Sequence, residues 1–278
     1  MKTRPGNKHG RGGRAGKQRP PAAADEPLLI WGIHPVSELL RHQPQEVREI
    51  FLLAGREDER SRAILALTEE HGIPLSRPTD LPLIPAEDAA HQGVAARIKA
   101  PVPLSLNALL AKLDPDAAPL LLALDSIQDP HNLGAIIRSA AAFGVNGLII
   151  PKDRSAQISG TVIKAAAGTL PLVPICQVTN LAETLAVLKD HRFWIYGAAG
   201  EAGERETERA GGPAGQSLYT TAFSGPICLV LGGEQKGIRP LVRRQCDFLV
   251  SIPLAAGVES LNVSVAAAVI LAEIRRQS

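Results

Sequence analysis

From residue 120 onward two kinds of apolar stretch alternate along the chain. Leu120–Leu124, Gly147–Ile150, Leu172–Cys176, Phe193–Ala198, Ile227–Gly232 and Phe248–Ile252 are short and almost unbroken by polar residues. Runs of that length without polar alternation predict strands buried on both faces. Between and after them, Asn132–Phe143, Ser159–Ala167, Leu181–Asp190 and Asn262–Gln277 carry apolar residues at helical spacing. Strands of this kind separated by helices predict an α/β fold, a mostly parallel sheet with helices on both faces. In the last helix Val263, Ala266, Ala267, Ile270 and Ile274 form one stripe. It is either a core face within the domain or a dimer seam, and its small residues permit close approach.

The first hundred residues have a different texture. Residues 28–99 read as a small α/β unit, with Pro35 near a helix start, a strand at Glu49–Leu53, a helix at Ser61–His71 and a closing strand at Gly93–Lys99. Gly72 suits the C-terminal cap of that helix, with Pro74 just beyond. Four prolines between 100 and 119 break the chain around a short amphipathic stretch with Leu106, Leu109, Leu110 and Leu113. The expected divisions are a tail at 1–26, a small domain at 28–99, a linker at 100–118 whose middle docks on a neighbour, and a larger domain at 119–278. The segment 200–217 lacks periodicity and reads as a mobile loop.

Charge adds one feature that the pattern does not show. The formal net charge of +2 conceals seven Lys or Arg and no acid in residues 1–24, leaving 23 basic against 28 acidic residues elsewhere. Such a tail, rich in Gly and Pro, predicts disorder and an added salt-dependent affinity for phosphates. No apolar run is long enough to span a bilayer and no signal-peptide core follows the start, so a cytoplasmic location is expected. The three cysteines lack metal spacing. Cys176 and Cys228 fall within predicted strands, where buried small hydrophobes are expected rather than ligands or disulfides.

Chemistry concentrates at three strand ends, where ligands sit in open α/β sheets. The first is Asp129-Pro-His-Asn-Leu-Gly-Ala-Ile-Ile-Arg138. Asn132 suits a helix N-cap there, whereas Arg138, among Ala and Ile, needs a partner or an opening. The second is Gly232-Gly-Glu-Gln-Lys-Gly237, whose paired glycines permit close approach to backbone but match neither a Walker loop nor G-x-G-x-x-G. Lys236 there is either a phosphate contact or a solvated charge. The third is Ser260-Leu261-Asn262, where Ser260 or Asn262 caps the last helix or serves a site.

In order and separation these three stretches resemble the motifs of the SpoU-type (TrmH-family) RNA ribose 2′-O-methyltransferases. Trp31-Gly-Ile-His34, His91-Gln-Gly-Val94 and Pro151-Lys-Asp-Arg-Ser-Ala-Gln157 extend the likeness toward family members that methylate a guanosine ribose in 23S ribosomal RNA. The resemblance runs from about residue 28 to the C-terminus, the 200–217 loop excepted. It implies a trefoil-knotted C-terminal domain at 119–278, S-adenosylmethionine as cofactor, a homodimer joined through that domain, and an RNA-binding domain at 28–99. By motif match Gly232, Ile252 and Leu261 contact the cofactor. Arg138, Asn132, Glu234, Ser260 and Asn262 form the catalytic set, and no metal is required.

The implied activity is methylation of a guanosine 2′-hydroxyl in 23S ribosomal RNA. Alternatives are the same chemistry on tRNA or another rRNA nucleotide, and a non-catalytic RNA-binding assembly factor. The family assigns activation of the hydroxyl to the Arg138 position. A guanidinium with pKa above about 12 is normally only a donor, so holding a phosphate or a developing alkoxide is an equal reading. Gln235 stands where the family has glycine, which carries backbone strain if the position has positive φ. With nine aromatic residues in the chain, recognition of RNA is expected to rest on shape, phosphates and ribose hydroxyls rather than stacking.

Overall fold

The computed structural model describes residues 28–56, 58–81, 91–99, 101–114, 117–200, 215–234, 236–258 and 260–278. The basic tail, Gln235 and residues 201–214 of the expected loop therefore lie outside the described residues. A four-stranded sheet is built from β1 (Leu28–Trp31), β2 (Val47–Leu52), β3 (Leu75–Ser76) and β4 (Val94–Ile98), in the order β1-β4-β2-β3. It carries α1 (Ile33–His42) and α2 (Glu59–Glu70). Asp58 caps α2 by accepting from Ser61 N at 3.0 Å, one of the four donors that a helix start leaves without partners.

The second sheet has seven strands: β5 (Leu120–Asp125), β6 (Gly147–Pro151), β7 (Ile175–Val178), β8 (Trp194–Ala198), β9 (Gly215–Ser217), β10 (Ile227–Gly232) and β11 (Phe248–Ser251). Every pairing within it is parallel, in the order β7-β6-β5-β10-β8-β11-β9. Side chains alternate between the two faces, as strand geometry dictates. Leu120, Leu122 and Leu124 join one apolar cluster and Leu121 and Ala123 the other. The first face is covered by α4 (Pro130–Ala142), α5 (Gly160–Ala165) and the final helix α8 (Val263–Gln277), the second by α3 (Leu106–Leu110), α6 (Leu181–Asp190) and α7 (Pro240–Arg243).

The connectivity is unusual. β10 enters the sheet between β5 and β8, β11 enters between β8 and β9, and the chain then returns across the sheet to pack α8 on α4. This strand order, with both late strands inserted and the last helix returning over the sheet, agrees with the trefoil-knotted α/β domain that the resemblance implies. The stripe on α8 is a core face of its own domain: Val263, Ala267, Ile270 and Ile274 are buried within this chain.

Several local expectations change. The α4 N-cap is Asp129, which accepts from His131 N at 3.0 Å with Pro130 at the first helical position, so Asn132 lies inside the helix and is free for other partners. The strand expected at Leu172–Cys176 begins only at Ile175, because Leu170–Leu172 forms a 3-10 turn. Within 200–217, Gly215–Ser217 forms the edge strand β9 against β11. The middle of the 100–118 stretch does dock on a neighbour, the larger domain: Leu104 N donates to Ile175 O at 2.7 Å and Leu109 is fully buried. The two sheets meet where Trp31 packs on α5, and a Cβ added to Gly160 would lie 2.6 Å from its indole.

Candidate active site

The register β10–β5 sets Gly232 beside Asp125 at the carboxyl ends of the two central strands. The loop that leaves β10 closes tightly: Gly237 N donates to Gly233 O at 2.8 Å, and Gly237 has φ +59°. A side chain at Gly232 would collide with the backbone of Gly237 and Ile238, and one at Gly233 would lie 2.6 Å from Ser126 O. The paired glycines thus let chain approach chain before any ligand is considered.

Beneath the loop, Asp125 is fully buried and holds Arg239 twice, from its backbone N at 2.8 Å and its Nε at 2.6 Å. A buried carboxylate must be paired and hydrogen-bonded, and this one is. Sequence reasoning missed both residues. They stand 114 positions apart, and the only signal was an acid ending an otherwise apolar strand.

The three motif loops converge on Asn132. Its amide Nδ2 donates to Glu234, and its Oδ1 accepts from Asn262 Nδ2 at 3.0 Å. Asn262 in turn caps α8, its Oδ1 accepting from Ser264 N at 2.8 Å and Ser264 Oγ at 2.6 Å. The result is a directed chain of donors from Ser264 through Asn262 and Asn132 to the Glu234 carboxylate. Such chains polarise one another and fix each member's orientation.

Two cavities share the loop bearing Glu234 as a common wall. One, of about 370 Å³, is lined by Gly232, Ile252, Ser260, Leu261, Asn262 and Glu234, among others. Its remaining surface is largely aliphatic, from Leu231, Val250 and Leu254. The other, of about 600 Å³, contains Asn132, Arg154, Lys236 and Arg239. Gly233, Glu234, Gly237 and Val263 face both. All three residues nominated for the cofactor and four of the five nominated for catalysis therefore line one cavity or its neighbour. Arg138 does not: it is exposed on α4 and lines neither cavity in a single chain. Among the described residues no group of three His, Cys, Asp or Glu is arranged to hold a metal ion. No helix there is long and apolar enough to cross a membrane.

Residues 119–272 match the SpoU rRNA methylase family, and residues 29–104 match the RNA 2′-O ribose methyltransferase substrate-binding family. The chain is 44% identical over 250 residues to the 23S rRNA (guanosine-2′-O-)-methyltransferase RlmB of Pectobacterium atrosepticum, covering 90% of this chain and 98% of that protein. It is 43% identical over 253 residues to RlmB of Escherichia coli K12, with coverage of 90% and 98%. In three dimensions it resembles the SpoU methyltransferase AviRb from Streptomyces viridochromogenes, solved in complex with AdoMet, at TM-score 0.68 and 24% identity over 90% of each chain. A family match across the whole seven-stranded domain, relatives matched over nearly their full length and a shared fold agree: this chain belongs to the SpoU rRNA methylase family.

Proposed function

We propose that this chain transfers a methyl group from S-adenosylmethionine to the 2′-hydroxyl of a guanosine in 23S ribosomal RNA, acting in the cytoplasm. The observation that carries the reading is the Asn262–Asn132–Glu234 chain of hydrogen bonds standing between two cavities of different character. The smaller cavity suits the cofactor. Its aliphatic lining takes an adenosyl group, and Glu234 on its wall is the charge that a sulfonium favours. Gly232, Ile252 and Leu261 are its contacts. The larger, cation-lined cavity takes the RNA, whose ribose must meet the methyl group at the shared wall.

S-adenosylmethionine supplies a methyl on a leaving group that already carries positive charge. The protein's task is to align the hydroxyl and help remove its proton. Alignment is worth roughly 7–11 kcal/mol in the best-oriented reactions, and proton removal about 10²–10⁴-fold. Asn132, Glu234, Ser260 and Asn262 hold the ribose and the wall in place. We assign Arg138 to the reacting hydroxyl or its neighbouring phosphate in a homodimer joined through the C-terminal domain. The 28–99 domain adds RNA contacts.

The test is transfer of tritiated methyl from S-adenosylmethionine to purified 23S rRNA, 16S rRNA and tRNA, for wild type and Arg138→Ala. Label on 23S ribose that disappears in the variant is the expected result. Label on tRNA alone would overturn the substrate, and RNA binding without label would overturn the enzyme reading.

A further inference from the structure

We propose that the larger cleft is a phosphate subsite for the RNA backbone flanking the target nucleotide, with Arg154 and Lys236 as its cations and the Asp125-paired Arg239 fixing its wall. This rests on the methyl-transfer reading above and adds the contacts that seat its substrate. The three side chains reach one cleft from two loops far apart in sequence. Arg154 comes from the turn after β6, while Lys236 and Arg239 flank Gly237 after β10. The acids at the cleft are held by other groups, Asp129 by the α4 N-terminus and Glu234 by Asn132, and neither is ion-paired with Arg154 or Lys236.

Arg239 is not a solvated surface charge. The fully buried Asp125 clamps both its backbone and its Nε, so it is held at the cleft wall. The backbone around the cleft is strained as well. Ser126 and Arg154, neither of them glycine, sit at φ +67° and +62°, and both line it. Such conformations persist where surrounding structure imposes them and concentrate at ligand sites. Here the imposing contacts are visible: Ala156 N donates to Ile127 O at 2.8 Å, tying the Arg154 turn to the Ser126 turn.

Arg154 and Lys236, cations from separate loops that have no ion-pair partner among the described residues, suit an anionic group such as a backbone phosphate. The cofactor's own carboxylate is a weaker match, because the cavity beside Gly232 and Ile252 is lined by none of the three. Each guanidinium or ammonium placed on a phosphate releases a counterion, which gives the proposal a signature besides activity.

The experiment compares wild type, Arg154→Ala, Lys236→Ala, the double variant and Arg154→Lys. Arg239 is left in place, since its removal strands a buried carboxylate. Affinity for 23S rRNA is measured by filter binding across a range of KCl, S-adenosylmethionine affinity by calorimetry, and folding by circular dichroism. Each single alanine variant is expected to bind RNA about tenfold more weakly, and the double variant more weakly than either. Each single variant is also expected to lower the slope of log affinity against log salt by about 0.7, the single-strand value per contact. Arg154→Lys restores the slope, and cofactor affinity is unchanged throughout. Unchanged RNA affinity and slope would overturn the subsite. So would a loss confined to S-adenosylmethionine, which would assign the cations to the cofactor's carboxylate. If wild type methylates no RNA the reading of the enzyme falls, while the binding isotherms still decide the subsite.

Discussion

Asn132 commits both ends of its amide. Glu234 as a carboxylate accepts only, so the Asn132 Nδ2 must face it and Oδ1 must face Asn262. No other side chain of that size both donates and accepts in this geometry. Asn132→Ala breaks both bonds, and Asn132→Asp sets a second carboxylate against Glu234. Both are expected to lower single-turnover methyl transfer about 10²-fold through misplacement of the wall, with cofactor affinity retained. The aspartate variant is expected to be the slower, and rates equal to wild type would leave the network a structural role only. Gly232 offers a different test. Its close contact with Gly237 and Ile238 leaves no room for a methyl group, so Gly232→Ala must open the loop. A stability loss of about 1–3 kcal/mol in a urea melt, together with loss of S-adenosylmethionine binding by calorimetry, is the expected outcome.

Among the elements, helix ends carry more than their own stability. The α4 cap on Asp129 sets where the helix begins and therefore which way Asn132 points. Asp129→Ala is expected to cost about 1 kcal/mol in urea denaturation. Two acids on other helices set the response to low pH. The Ser61 backbone N–H and then Arg56 hold Asp58 down to about 2, and bonds from Arg276 and Gln277 hold Glu273 to about 2. A carboxyl depressed on folding stabilises fully above its unfolded pKa and loses that contribution as pH falls through the folded value. Thermal stability is therefore expected to drop between about pH 4.5 and 2, and Asp58→Asn to flatten that part of the profile. Most helices and strands were legible, because apolar periodicity is set by the same burial that forms them. The α4 cap was misread although Asp129-Pro130 is the stronger start signal, since proline suits the first helical position. β9 was not legible: Gly215–Ser217 has no apolar pattern, and its strand character comes from pairing with β11.

For the molecule as a whole, the motif residues were readable and their convergence was not. Asn132, Glu234 and Asn262 meet only because β10 lies beside β5 and α8 returns to α4, and no local pattern encodes that return. The Asp125–Arg239 pair was invisible for the same reason. Burial also silences the thiols. It pushes Cys176 up to about 11 and Cys246 up to about 12, with Cys228 higher still. A thiol reagent at pH 8 is expected to find no reactive cysteine in native protein and all three after denaturation, so labelling rates report opening of the sheet. The position of β10 has a further consequence for how the protein is made. Strands β5 to β9 all leave the ribosome before residue 227, yet β5 and β8 are joined only by the strand that begins there. Until it and β11 emerge, one edge of β5 and both edges of β8 stay unpaired, each a template for association with other chains. Co-translational folding of this domain must wait for its last third, and a chain stopped at residue 226 is expected to sediment as aggregate where the full-length protein stays in the supernatant.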